Sequence, residues 1–135
     1  GGFKISLFDV TDVNHPIEKD KTVIGTSGTT SELLYNHKAL MYLNDMNMMA
    51  FPIQVNDGHN YSFKGAYVYN VNGSQLTLKG KLTQFKSKDD LTSYNAYEKM
   101  ITRVLRIGDY LYTISEDAIF IHNISDLNKV GIIEL

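Results

Sequence analysis

One six-residue pattern occurs three times in this chain, and it constrains the fold more than any single residue. Leu7-Phe8-Asp9-Val10-Thr11-Asp12, Val68-Tyr69-Asn70-Val71-Asn72-Gly73 and Ile121-His122-Asn123-Ile124-Ser125-Asp126 each run apolar, bulky ring, Asp or Asn, β-branched, small polar, turn residue. The ring residues Phe8, Tyr69 and His122 stand 61 and 53 positions apart. Similarity at such a period marks an architecture in which one supersecondary unit is built repeatedly and stacked.

The C-terminal unit parses most cleanly. Residues 101–107 form a β-compatible run, Gly108-Asp109 is a two-residue link able to supply positive φ, and residues 110–114 return. Ser115-Glu116-Asp117 marks a second turn, 118–124 a third strand, 125–128 a third turn and 130–135 a fourth strand. Both pleat faces are apolar: Tyr110, Tyr112 and Ile114 point one way and Leu111 the other, while Ile119 and Ile121 oppose Ala118 and Phe120. That pattern predicts a sheet covered on both faces. In the middle unit, 38–43 and 48–55 flank Asn44-Asp45-Met46-Asn47, and 65–72 and 75–83 flank Gly73-Ser74. Pro52 falls late in its strand, which predicts an edge, a bulge or an early end to pairing. At the N-terminus, 3–10 and 21–24 supply two strands.

Four-stranded antiparallel units at this period are the blades of a β-propeller. The expected fold is therefore all-β: a partial β-propeller of about two and a half four-stranded antiparallel blades in one fragment over 1–135. The end of one blade lies in 1–28, a second blade in 33–85 and a third in 101–135. A closed propeller needs at least four blades, so 135 residues read as part of a longer protein; the Gly1-Gly2 start, without signal peptide or initiator methionine, fits that expectation. Segments 26–31 and 84–97 serve as inter-blade connections. Two stretches leave a helix open: Thr29-x-x-Glu32 has the form of a capping box, and 89–100 could turn Leu91, Tyr94 and the Lys99 stem inward.

Fifteen acidic against thirteen basic side chains give a net charge of −2, and their scatter offers no footprint for phosphate backbones, which disfavours nucleic acid. No run approaches the roughly 18 apolar residues of a membrane span, so no membrane insertion is expected. The absence of cysteine removes disulfides, thiolate metal sites and cysteine nucleophiles together. The N-x-S matches at Asn60, Asn72 and Asn123 are what an Asn-rich chain makes by chance.

The four histidines, His15, His37, His59 and His122, show no metal-ligand spacing. His122 replaces Phe8 and Tyr69 in the repeat and is expected to be a core or blade-interface ring. His37, after Tyr35-Asn36 at a blade entrance, is the better functional candidate, with a hydrogen-bonded loop histidine as the competing reading. Asp45-Met46-Asn47 and Asp57-Gly58 lack the further oxygen ligands of a calcium loop and read as turns. The recurring Asp9, Asn70 and Asn123 are expected to cap neighbouring turns through Asx-type bonds. Met41 and Met49 read as core gap-fillers, Met46 as an exposed turn tip, and Tyr94 and Tyr97 as candidates for an aromatic contact surface. No P-loop, G-x-S-x-G, G-x-G-x-x-G or paired-carboxylate motif is present. No catalytic, cofactor-binding or metal residue is assigned, and no cofactor is expected.

The opening FKISLFDVTDVNHP with EKDK and VIG, the middle LYNHKALMY and MMAFPI, and the final ITRVLRIGDYLYTISED and IFIHNISDLNKVG together resemble a family of secreted bacterial β-propeller-domain proteins, in its C-terminal part. The resemblance implies an extracellular or cell-envelope setting with a lipid or signal anchor upstream, and no established activity. Two functions follow as expectations: a non-enzymatic interaction or scaffold module whose blade loops bind a protein or cell-wall glycan, or a hydrolase whose loop-built site draws on His37 or Asp9 and on blades beyond this chain. A purely structural or assembly role is a third. Uncovered sheet edges and faces of a partial propeller predict self-association of the fragment.

Overall fold

Gly73 and Gly108 open the two tightest hairpins with φ of 60° at each, a backbone region glycine enters without a Cβ clash. The links close Asn72 onto Gln75 and Ile107 onto Tyr110. Around these turns the computed structural model, which describes residues 1–135, forms ten strands in three antiparallel sheets and no α-helix. The first sheet holds β1 (Phe3–Asp9) and β2 (Ile17–Ile24). The second runs in chain order through β3 (Met41–Leu43), β4 (Met48–Asn56), β5 (Tyr61–Asn72) and β6 (Gln75–Leu82). The third does the same through β7 (Arg103–Ile107), β8 (Tyr110–Ile114), β9 (Ala118–Asn123) and β10 (Lys129–Glu134).

The three sequence repeats lie on β1, β5 and β9, and each carries a bulge at the same place. Leu7 pairs with Asp20 but Phe8 with Glu18; Val68 pairs with Gly80 but Tyr69 with Leu78; Ile121 pairs with Gly131 but His122 with Lys129. One extra residue, Lys19, Lys79 or Val130, is squeezed out of the neighbouring strand in each case; Lys19 and Val130 are exposed and Lys79 is half-buried. A bulge at a fixed position sharpens the local twist identically in each sheet.

The second sheet is buried on both faces. Met49, Phe51, Ile53, Val55, Tyr67, Tyr69 and Val71 pack with Phe3 and Ile24 of the first sheet. Met48, Ala50, Ala66 and Val68 point the other way and pack with Val104, Leu111 and Ile124 from the third unit. The alternation follows from the two-residue period of a strand, and long apolar runs such as Met48–Asn56 are what a sheet sandwiched between two others requires.

Pro52 sits inside β4 without cost, because β3 pairs only as far as Ala50. Residues two apart in a strand send their backbone groups to the same side, so the missing Pro52 N–H faces the gap beyond β3. There Gln54 exchanges backbone bonds with Thr30 and Ser31 donates its hydroxyl to the Pro52 carbonyl. The early end to pairing expected from the sequence is what the strand shows.

The open helix question resolves into single 3-10 turns. At Glu32–Leu34 the cap is Ser31, whose side chain accepts from the Leu33 N–H; Thr29 instead accepts from the Asn56 N–H, so the capping box is not formed. Lys88–Thr92 buries Leu91, but Tyr94 is fully exposed rather than turned inward. The strand expected from residue 38 begins at Met41, since Asn36 caps a 3-10 turn over His37–Ala39. Met46, expected at an exposed tip, is half-buried against the second core. No helix is long and apolar enough to cross a membrane.

Candidate functional site

The residues with chemistry are dispersed. Asp9 accepts from both the backbone N–H and the hydroxyl of Thr11, at 2.8 and 2.6 Å; these bonds hold its carboxyl below the usual carboxylate range and commit it to an Asx turn. Asn70 and Asn123 make no such side-chain bond: Asn70 faces the third sheet and Asn123 the opposite side of its own. The turn-capping role expected for all three therefore holds for Asp9 alone; elsewhere Asp12, Asn36, Asn56 and Asp126 perform it. His37 is exposed on its 3-10 turn, and no side-chain hydrogen bond joins it to Asp9 or to any other acid. Asp45 is occupied by Arg106, whose Nη1 donates to Oδ2 at 2.7 Å, and Gly58, at φ 117°, turns a tip that Asn56 caps. No group of three His, Asp or Glu side chains is placed to hold a metal ion.

What the fold does assemble from the repeats is a set of equivalent surfaces. The ring position faces the preceding sheet: Tyr69 packs in the core shared with the first sheet, and His122 is 4% exposed on the side of β9 turned to the second. That burial matches the interface role expected for His122. The position before the ring faces the following sheet: Leu7 packs on the second sheet and Val68 on the third. Phe8 has no preceding sheet and is 50% exposed; Ile121 has no following one.

Residues 1–127 match the family described as Beta propeller domain. The chain belongs to that family. An uncharacterized protein of Archaeoglobus fulgidus is similar, at 27% identity over 135 residues that make up all of this chain and 17% of that protein; the chain thus spans a small part of the relative's length. No solved structure matches it.

In this Beta propeller domain chain the third sheet departs from the expectation that both its faces are covered. Cross-strand partners share a face, so the registers place Leu105, Ile107, Tyr110, Tyr112, Ile114, Ile119, Ile121 and Ile133 together on the side away from the second sheet. None is buried; Ile107 is 64% exposed, Leu105 47% and Ile133 46%. The period-2 pattern reported an apolar face correctly. It could not report whether a neighbour lies on it within this chain.

A second kind of exposed surface lies on the connections. Tyr35 stands between β2 and β3, and Tyr94 and Tyr97 between β6 and β7, all with most of their surface in solvent. The charge of the neighbouring Glu98 pushes the Tyr97 phenol upward. The two connections are topologically equivalent, each running from the last strand of one sheet to the first strand of the next.

Proposed function

We propose that the chain supplies about two and a half blades of a β-propeller and serves, outside the cell or at its envelope, as a non-enzymatic interaction module whose inter-blade connections bind a protein or glycan. The observation that carries this reading is the display of Tyr35, Tyr94 and Tyr97 on equivalent connections. Each is tied by a short 3-10 turn to a packed segment, with Leu91 and Ala96 anchoring the second in a small core with Phe85. Rings held on a stiff base give up little freedom on binding and present an apolar body with a polar tip. The extracellular setting is supported by the resemblance of the quoted strings alone.

Retention of envelope proteins or cell-wall glycan on the immobilised chain tests this reading. A retained partner that is released when Tyr35, Tyr94 and Tyr97 are all changed to Ala is the expected result. An empty column, or turnover of a hydrolase substrate panel that His37→Ala abolishes, overturns it.

A further inference from the structure

We infer that the cleft where β6 runs into the β6–β7 connection binds an acidic saccharide, its carboxylate or phosphate held by Lys86 and Lys88 and its hydroxyls met by serine and threonine side chains. Charge singles this cleft out. The molecule has four clefts, and three of them balance acid against lysine: Glu32 with Lys64, Asp9 with Lys19, and Asp117 and Glu134 with Lys86 and Lys99. The fourth, of about 240 Å³, has Ser62, Phe63, Thr83, Lys86, Ser87 and Lys88 in its wall and no carboxylate. Both of its lysines are exposed, and neither is in an ion pair. Asp89 and Asp90 follow in the chain but do not line it. In a chain of net charge −2, this is a local reversal of sign.

Two further ammonium groups stand behind the wall. Lys64 Nζ donates to the Leu91 carbonyl at 2.7 Å and lies 4.8 Å from the centre of the Tyr61 ring, and Lys81 Nζ lies 5.9 Å from the centre of the Phe63 ring. Neither has a carboxylate partner. A cation drawn partly out of water, as Lys64 is, is normally paired; an anion seated in the cleft supplies the countercharge that all four lysines lack.

The wall is set before any ligand arrives. Thr83 ends β6 by donating its hydroxyl to the Lys64 carbonyl at 2.7 Å and accepting from the Phe85 N–H at 3.2 Å. Phe85 and Leu91 are buried together, which pins the chain on either side of Lys86, Ser87 and Lys88, so little freedom is lost on binding. The Ser87 hydroxyl, at the start of the 3-10 turn, caps nothing and is free for a ligand. Ammonium groups, hydroxyls and the half-buried Phe63 ring match the charge, the hydroxyls and the C–H face of a charged sugar. A volume of about 240 Å³ falls below the ~300–1,000 Å³ of sites for drug-sized ligands, so the cleft holds one sugar unit at a time. A single-stranded nucleic acid needs a basic groove tracking several nucleotides, and the cations here are confined to one spot. The cleft is separate from Tyr35, Tyr94 and Tyr97, so this inference and the tyrosine reading fail separately.

The test is calorimetric titration of the chain with an oligouronide, a phosphorylated oligosaccharide, their neutral counterparts, inorganic phosphate, a phosphopeptide and single-stranded DNA. At least one acidic saccharide is expected to bind and its neutral counterpart not to; which one binds assigns the charged group as carboxylate or phosphate. Lys86→Gln and Lys88→Gln should each weaken that binding at least about fivefold, and rising salt should weaken it further. Lys38→Gln, an exposed lysine on another turn, should leave it unchanged, as should changing the three tyrosines to Ala. Circular dichroism reports whether each variant is folded. Failure of every acidic saccharide to bind overturns the proposal, as does binding that a folded Lys86→Gln, Lys88→Gln double variant retains in full. Inorganic phosphate, the phosphopeptide or DNA binding as tightly as the saccharide overturns it too, as does loss of saccharide binding in the folded tyrosine variant.

Discussion

His122 Nδ1 lies 3.1 Å from the backbone carbonyl of Leu127, and the loop reaches that position with Leu127 at φ 65°. A carbonyl can only accept, so Nδ1 carries the proton and the neutral ring leaves Nε2 bare. That nitrogen is buried without a hydrogen-bond partner.

This geometry makes stability depend on pH. Burial disfavours the imidazolium and lowers its pKa from the ordinary 6.5, Leu127 opposing and Lys129 reinforcing the shift. The folded state then binds a proton less readily than the unfolded chain, so the contribution from His122 is complete above about pH 6.5 and is lost as the pH falls below it. Urea unfolding midpoints should decline through that acidic window. His122→Phe, with the ring found at position 8, should flatten the decline while forfeiting about 0.5–1.5 kcal/mol of hydrogen bonding. An NMR titration placing His122 at or above 6.5 would contradict the assignment.

Gly65 and Gly80 should respond differently to alanine. A Cβ on Gly65 would come within 2.0 Å of the Leu82 carbonyl oxygen, which is backbone of the paired β6. On Gly80 it would meet the Leu127 Cδ1 at 2.7 Å, the far end of a side chain that can rotate. Gly65→Ala should cost about 1–3 kcal/mol, and Gly80→Ala less, by denaturant unfolding. Equal costs would argue against this account of the β5–β6 pairing.

Leu111 is completely buried between the second and third sheets. Leu111→Ala should destabilise by about 2–5 kcal/mol through lost burial and the cavity left behind. Phe51→Ala should do similar damage, about 3–5 kcal/mol, between the first and second sheets. If the sheets form one cooperative stack, both variants shift a single unfolding transition. Two separated transitions would show that the sheets melt independently.

Arg106 of β7 reaches across to Asp45 in the β3–β4 turn, and its donation holds the Asp45 carboxyl below the ordinary range. Because Asp45 is well exposed, the pair should act as a screened surface link. A double-mutant cycle of Asp45→Asn and Arg106→Gln should show a coupling that shrinks on raising the salt concentration and on acidifying below the usual carboxylate range. A coupling indifferent to salt would mean that packing of the Arg106 stem is responsible.

The turns were the most legible part of the sequence, because Gly73-Ser74 and Gly108-Asp109 specify local backbone geometry. The repeat was legible too, and the common bulge beside Phe8, Tyr69 and His122 gives it structural substance. Segments whose conformation depends on distant partners were not. The charged Ile17–Ile24 strand begins with Ile-Glu-Lys-Asp, a poor strand signal, yet pairs with Leu7 through Asp9 across the sheet. Tyr94 looked like a helix-face residue because spacing alone carries no information about which 3-10 turn ends first. His37 and Asp9 were singled out by residue type and repeat position; local bonds occupy Asp9 and nothing brings the two together, whereas Tyr94 and Tyr97, singled out as a contact surface, are exposed, and Tyr35 joined them only with the connections in place.

The displaced residues Lys19, Lys79 and Val130 fall on β2, β6 and β10, which form the outer rim of each sheet. A rim kinked at one constant point, with lysine at two of its three kinks, makes a poor template for another strand seeking straight, in-register pairing. Sideways accretion into fibrils is thereby discouraged.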